Sequence, residues 1–380
     1  MHTTTTACCL LFLLWGMICV IPQVLELPFM PFTVNNKNVI EITRDNFHIV
    51  QFTDLHMGEA DNKDMHSICL MQTIVAEEKP DIVVFSGDQI SGYSVLSTKT
   101  KLDLLHRVFS VPDALRVPFA SIFGNHDDQM YKMDPLLWYT YTNYTIFTLF
   151  IILCISQYIH VSSTWYMWIF TALLLLSCII FVAVIPARVQ RSKLLQYELQ
   201  QFPASSYSQQ GPLHVSGVSN YFIRVQTPSA SVMLYFFDTG GGRIPEAVHA
   251  DQVKWFKGAS THQPSLAFMH IAPKQYSNLY QQTLCTGKQP LEESTTCTGS
   301  EELLDALSDD DTLAVFVGHD HNNAWCCHFK NMQLCYGQHT GFGGYSTGSE
   351  RGARIIRVET SISQAPLVSS WVVLKNATDC

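Results

Sequence analysis

The sequence predicts an α/β fold in which buried strands end at short polar motifs. Apolar runs rich in β-branched and aromatic residues are typical of buried strands, and five occur, at residues 47–53, 81–86, 117–123, 266–269 and 313–317. The apolar spacing also predicts helices at residues 64–78, 101–109, 252–258 and 300–307. Open α/β sheets place functional side chains at the carboxyl ends of their strands, so the motifs there are candidates for one site.

Three of these motifs follow the first three predicted strands. They are Asp54-Leu55-His56, Gly87-Asp88 and Gly124-Asn125-His126-Asp127. Residues two apart in an extended segment point the same way, so Asp54 and His56 can bind one ion. The glycines allow the backbone to turn sharply beside each candidate ligand.

The last two motifs follow the fourth and fifth predicted strands. They are His270 and Gly318-His319-Asp320-His321. The complete set offers carboxylates, imidazoles and one carboxamide oxygen, which suits two ions of intermediate hardness such as Fe, Mn or Zn. A lone Asp-x-His motif is weak evidence for a metal, but five ligand-bearing motifs in order, each after a predicted strand, make coincidence a poor explanation.

These motifs resemble those of the calcineurin-like metallophosphoesterases, and within them the purple-acid-phosphatase-like branch of fungi and plants. The resemblance spans residues 45–357 and includes Phe236–Gly240 and Gly341–Tyr345. It implies a four-layer α/β/β/α sandwich with a binuclear metal centre. The first metal would be held by Asp54, His56, Asp88 and His321, and the second by Asp88, Asn125, His270 and His319, with Asp88 bridging.

The resemblance also implies hydrolysis of phosphoric esters. Two ions roughly 3.5–4 Å apart neutralise the phosphoryl group and generate a metal-bridging hydroxide. His126 would protonate the leaving alkoxide, a role worth roughly 10²–10⁴-fold, while Asp127 either orients that imidazole or faces solvent. The leading hypothesis is a phosphomonoesterase. The alternatives are a phosphodiesterase acting on nucleotides or phospholipid headgroups, and a catalytically impaired membrane-bound binding protein.

One departure from the purple acid phosphatases concerns their colour. Those enzymes carry a Tyr three residues after the bridging Asp, and a Gly at the position of His56. Here Ser91 stands in place of that Tyr, and Tyr93 is two residues out of register. We therefore predict that the iron-loaded protein has no tyrosinate-to-iron absorption band.

Composition limits the partners. A chain of 380 residues can bury a large core. Its formal net charge of −9 argues against a nucleic-acid duplex, which favours basic surfaces, but leaves a small phosphate-ester substrate open.

The N-terminus and the cysteines favour the secretory pathway, with a secreted or membrane-associated product. Residues 1–22 are predicted to be a signal peptide, with an N-terminal anchor or a buried helix as alternatives. Twelve cysteines and the sequons at Asn376 and Asn143 support this, although a cytosolic protein with free thiols remains the alternative. Cys326, Cys327 and Cys335 flank a predicted hairpin, and a Cys285–Cys297 disulfide would close a polar loop.

A hydrophobic insertion at residues 135–185 divides the predicted phosphoesterase domain into residues 40–134 and 186–375. Residues 165–185 are apolar and long enough to span a bilayer, and Arg188 follows them. A single crossing would put His126 and His270 on opposite sides of the membrane. The insertion therefore crosses twice, lies on a membrane surface through residues 146–185, packs against protein, or is translated non-coding sequence such as a retained intron.

Overall fold

The computed structural model describes residues 37–95, 97–129, 190–241, 244–288 and 290–375. Its strands, numbered in chain order, are β1 (Val39–Glu41), β2 (Asn46–Phe52), β3 (Ile82–Ser86), β4 (Phe119–Ile122), β5 (Tyr221–Gln226), β6 (Ser231–Phe237), β7 (Ala247–Val248), β8 (Ser265–Met269), β9 (Cys285–Thr286), β10 (Thr298–Gly299), β11 (Thr312–Val317), β12 (Cys326–Phe329), β13 (Met332–Tyr336), β14 (Arg351–Glu359) and β15 (Leu367–Lys375). All five strands predicted from apolar runs are present, as β2, β3, β4, β8 and β11.

The four predicted helices are also present, with shifted ends. The helices of the described residues are α1 (Asp61–Glu78), α2 (Thr98–Ala114), α3 (Arg191–Gln201), α4 (Ala250–Ala259), α5 (Leu279–Gln282) and α6 (Leu303–Asp309). Helix α2 begins before the predicted position because the Ser97 hydroxyl caps it, accepting the backbone N–H of Thr100 at 3.0 Å. Apolar periodicity locates the buried face of a helix, whereas the cap determines where the helix starts.

Two sheets pack face to face between layers of helices. One has eight strands in the order β1-β5-β6-β8-β11-β13-β12-β9, and the other has five in the order β15-β14-β2-β3-β4. Buried apolar side chains from both sheets fill the space between them, including Ile49, Val84, Leu234, Phe268 and Phe316. Burying each such side chain contributes about 1.5–3 kcal/mol. This core fixes the strand ends of one sheet relative to those of the other.

Helices cover the outer faces of both sheets. Helices α4 and α6 pack on the larger sheet through Phe256 and Leu304. Helix α1 lies against β2 and β14 of the smaller sheet and buries Leu70, Met71 and Ile74. The arrangement is the predicted α/β/β/α sandwich.

Parallel pairing brings the motif-bearing strand ends together. Strands β2, β3 and β4 are parallel neighbours in the smaller sheet, and β8 and β11 are parallel neighbours in the larger one. The carboxyl ends of parallel neighbours lie at the same edge of a sheet. The five motifs therefore meet at one end of the sandwich.

Two disulfides join neighbouring strands in the larger sheet. Cys326 bonds to Cys335 across the predicted hairpin, and Cys285 bonds to Cys327. The expected Cys285–Cys297 bridge is wrong, because Cys285 on β9 lies directly opposite Cys327 on β12. Cys297 instead precedes β10, which pairs with β7, and remains a buried thiol.

Several predictions fall on residues outside the described ranges. These are the signal peptide, both sequons and the hydrophobic insertion. Among the helices described above, none is both long enough and apolar enough to cross a bilayer.

Candidate metal centre

The loops that carry the predicted ligands have an unusual backbone. Positive φ values of 56°, 47°, 54° and 73° occur at Asp54, His56, Asp88 and His319. Residues other than Gly rarely adopt this left-handed region, and those that do concentrate at functional sites. Gly87, just before Asp88, is needed because a Cβ atom there would collide with the His270 ring. The left-handed backbone of these loops therefore indicates that they form a functional site.

Asp54, His56 and His321 form one cluster, called here the first ligand group. One ligand atom from each lies within 4.8 Å of the others. His56 Nε2 is 3.0 Å from His321 Nε2, which in turn is 3.5 Å from Asp54 Oδ1. All three side chains are buried.

Asp88, Asn125, His270 and His319 form the second ligand group. The carboxamide Oδ1 of Asn125 is 3.1 Å from His270 Nε2 and 3.1 Å from His319 Nδ1. Asp88 Oδ2 lies 3.3 Å from His270 Nε2 and also 3.6 Å from His56 Nε2. Asp88 therefore stands between the two groups, where a bridging carboxylate would be.

The positions of the ring protons test whether these residues fit metal ions. His321 Nδ1 is 2.7 Å from the carbonyl oxygen of Tyr345, and His270 Nδ1 is 3.0 Å from that of Ser86. A carbonyl can only accept, so each Nδ1 carries a proton, and each ring presents the lone pair of Nε2 once that nitrogen is deprotonated. Those lone pairs face carboxylate and carboxamide oxygens. Acceptors that converge in this way suit a cation, and the donor set of N and O atoms fits the ions expected from the sequence.

The charges of the buried groups favour a cation as well. Burial would raise the pKa of Asp54, but hydrogen bonding and charge from His321 hold it below its usual range. Burial opposes protonation of His270, yet the negative charge of Asp88 raises its pKa to about 9. Burial lowers the pKa of both His56 and His319 to about 4. The centre thus combines ionised carboxylates with the neutral imidazoles of His56 and His319, and a bound cation would displace the proton that the charge of Asp88 favours on His270.

His126 lies at the edge of the centre, beside both groups. Its side chain is 26% exposed, and Nε2 is 3.9 Å from Asp88 Oδ2. Its Nδ1 lies 2.8 Å from Gln129 Oε1, and its backbone N–H donates to Asp88 Oδ1 at 2.8 Å. Gln129 was not predicted from the sequence, although its spacing of three from His126 suits a turn.

Asp127 has a different role from either predicted alternative. It is fully buried, so it does not face solvent. Instead it accepts the backbone N–H groups of Asp88, Ile90 and Gly124 at 3.0, 3.1 and 2.7 Å. Burial, followed by the charge of Asp88, raises its pKa to about 7. Asp127 ties the Asp88 loop to the Asn125 loop.

Arg191 contacts the loop that carries Asn125 and was not predicted from the sequence as a site residue. Its buried guanidinium pairs with Asp238, lies 3.4 Å from Asp128, and donates to the carbonyls of Gly124 and Gly241 at 2.7 and 3.0 Å. Asp238 lies in the stretch Phe236–Gly240, which resembles the calcineurin-like metallophosphoesterases. Its pairing with Arg191 is visible only in the folded structure. Arg191 joins the segments on either side of the hydrophobic insertion.

Ser91 and Tyr93 occupy the region where purple acid phosphatases carry their chromophore. The Tyr93 hydroxyl donates to Glu59 Oε1 at 2.8 Å, and Ser91 is buried beside His56. The missing absorption band stays a prediction, to be checked on iron-loaded protein.

Comparisons with known proteins find relatives of the kind that the motifs resemble. The family model described as calcineurin-like phosphoesterase matches residues 47–168. The chain is 23% identical to the protein of Arabidopsis thaliana described as "Probable inactive purple acid phosphatase 29", over 87% of this chain and 81% of that protein. It is 31% identical to Phosphatase DCR2 of Saccharomyces cerevisiae over 113 residues, which are 26% of this chain and 19% of that protein.

Among solved structures, the chain is similar to a dimetal phosphatase from Danio rerio. The two share 12% sequence identity with a TM-score of 0.44, over 85% of this chain and 98% of that chain. The family match over residues 47–168 and the purple acid phosphatases among the plant relatives show that the chain is similar to the calcineurin-like phosphoesterases.

Proposed function

We propose that the protein is a phosphomonoesterase that uses two metal ions held by the first and second ligand groups. The observation that supports this most directly is the position of Asp88. One of its oxygens lies 3.6 Å from a histidine nitrogen of the first group and 3.3 Å from one of the second. A carboxylate in that position can serve both ions, which is the hallmark of a two-metal site. Fe, Mn and Zn all suit these ligands.

The ligand residues prepare the centre for an anionic substrate. Bound ions would neutralise the phosphoryl group and lower the pKa of a water bridging them. Asp127 and Arg191 hold the Asp88 and Asn125 loops at fixed separation, so the ligands need little rearrangement when the ions bind.

His126 is proposed as the acid that protonates the leaving group. The side-chain Oε1 of Gln129 accepts a hydrogen bond from His126 Nδ1, so the proton available for transfer is the one on Nε2. That atom points to the centre without belonging to either ligand group. The His126 side chain is also partly exposed, so an alcohol product can leave past it.

Two alternatives have support of their own. A phosphodiesterase would use the same ligands, because the metals act on the phosphoryl group whichever ester is present. A binding protein with impaired catalysis is favoured by the word "inactive" in the name of the plant relative. Against it, the full set of ligand types is present in this chain, and the structure brings them together.

One assay separates the three. The full chain is loaded in turn with Fe, Mn or Zn, its metal content is measured, and a chromogenic aryl phosphomonoester is compared with the matching diester. We expect two ions per chain and faster cleavage of the monoester. Faster cleavage of the diester would favour the phosphodiesterase. Two bound ions without turnover would favour the binding protein. A chain that binds no metal would reject the proposed metal centre. Chelator-treated protein is the control.

The expected cellular site is part of this proposal. The disulfides Cys285–Cys327 and Cys326–Cys335 support folding in an oxidising compartment, and we propose the secretory pathway. Expression of the chain with and without residues 1–22, followed by fractionation of secreted protein, tests it.

A further inference from the structure

His56 differs from His270 and His321 in what holds its ring. His270 and His321 each direct Nδ1 at a backbone carbonyl oxygen. His56 directs Nδ1 at a side chain, the hydroxyl of Ser91, at 3.0 Å. The orientation of His56 therefore depends on residues that can be changed without altering the backbone.

Ser91 in turn leads to a carboxylate. Its hydroxyl donates to Glu59 Oε1 at 2.8 Å. An ionised carboxylate has no proton to give, so the Ser91 proton must point to Glu59. The Ser91 oxygen then accepts from His56, which places the ring proton on Nδ1 and the lone pair on Nε2. Nε2 is the atom that faces His321 and Asp88.

Glu59 is itself held in place by several donors. Oε1 also accepts the Tyr93 hydroxyl at 2.8 Å and the backbone N–H of Gly344 at 3.1 Å, and Oε2 is 3.2 Å from Lys63 Nζ. These contacts keep the carboxylate of Glu59 directed at the Ser91 hydroxyl. It also ties His56 to the loop that contains Gly344, next to the Tyr345 carbonyl that holds His321.

We propose that Ser91 and Glu59 are positioning residues that select the Nδ1–H form of His56 and strengthen Nε2 as a ligand of the first metal ion. The inference rests on the proposed two-metal function. A carboxylate linked to a metal-bound imidazole makes the ring a better donor, and loss of such a partner typically weakens metal binding 10–100-fold. Ser91, which stands at the sequence position of the purple-acid-phosphatase Tyr, thus supports the imidazole ligand His56 instead.

The test is a competition titration of the full chain with Zn²⁺ and a chromogenic chelator, which resolves two binding steps. Variants His56→Ala and His270→Ala first show which step belongs to which ligand group. We expect Ser91→Ala and Glu59→Gln to weaken the His56 step about 10–100-fold and to leave the His270 step unchanged. Tyr93→Phe is the matched control, because it removes a different donor to the same Glu59 oxygen and should have the smaller effect.

A double variant tests whether the two residues act in series. If Glu59 acts through Ser91, adding Glu59→Gln to Ser91→Ala should weaken the His56 step no further. Full additivity, equal weakening of both steps, or wild-type binding by both single variants would overturn the proposal. If Ser91→Ala does not fold, Glu59→Gln alone decides it by the same criteria. Failure of the wild-type chain to bind two ions would instead reject the proposed function.

Discussion

The two ligand groups are held by different kinds of structure. In the second group, the His270 ring is fixed by a carbonyl of strand β3, and the Asp88 and Asn125 loops are tied by Asp127 and supported by Arg191. In the first group, His56 depends on side chains, and His321 depends on the loop carbonyl of Tyr345. We infer that the second ligand group is the more rigid of the two. The affinity of the first ligand group for its metal ion should therefore be the more sensitive to substitutions in nearby loops.

The largest expected effect comes from the residue that the two groups share. Asp88→Asn should lose most of both ions, because a neutral carboxamide replaces the carboxylate that stands between them. Asp54→Asn, the control, should weaken only the first group. Elemental analysis of both purified variants measures this, and an Asp88→Asn protein with two full ions would show that the groups do not share a ligand.

The next effect concerns chemistry rather than metal binding. His126→Ala should keep both ions and lose roughly 10²–10⁴ in turnover on alkyl phosphates, whose leaving groups need a proton. The loss should be smaller on an aryl phosphate, because its leaving group is stable as the anion. Steady-state rates on the two substrates provide the comparison. Equal losses would exclude His126 as the acid.

A third variant tests whether Arg191 stabilises the second ligand group. Arg191→Met removes the guanidinium that pairs with the buried carboxylates of Asp238 and Asp128 and should cost about 3–5 kcal/mol of the free energy of unfolding, measured by urea denaturation. It should also weaken the second ion more than the first, because Arg191 holds the carbonyl of Gly124 beside Asn125. The control, Arg224→Met, changes an exposed arginine on β5 and should stay within about 0.5 kcal/mol of wild type. Similar losses for the two would refute the supporting role.

The smallest effect is expected from the largest change. Deleting residues 140–184 and joining Tyr139 to Ile185 should leave metal binding and hydrolysis at least as good as in the full chain. The described residues on either side already meet, with Arg191 Nε 3.4 Å from Asp128 Oδ1. Solubility, metal content and turnover of the shortened chain are the measurements. Loss of folding or metal, while the full chain is active in membranes, would make the insertion a structural element.

The strands and the motifs were predictable because each carries its own local signal. The run before Asp54 is a buried strand by composition, and a polar residue after such a run is visible without knowing the fold. The contacts of Asp127, Gln129 and Glu59 were not predictable in this way. Asp127 bonds to backbone groups of another strand end, and Glu59 reaches His56 only through Ser91. Such partners are defined by how the loops pack.

The disulfides show the same limit. Cys285 and Cys297 bound one loop in sequence, and that proximity suggested a bridge. Strand pairing decided otherwise, since β9 lies beside β12 and brings Cys285 to Cys327. Sequence separation is a poor guide to bonding once a sheet places distant residues in register.

The left-handed backbone at Asp54, His56, Asp88 and His319 links metal supply to the lifetime of the protein. Each such residue costs of order 1–3 kcal/mol in the folded chain. An ion that binds only the folded state adds about 2.7 kcal/mol at a hundredfold excess over its Kd. A chain made where these ions are scarce would unfold more often and meet proteases sooner. The cell's store of metal would then determine how much of the protein survives as well as how fast it works.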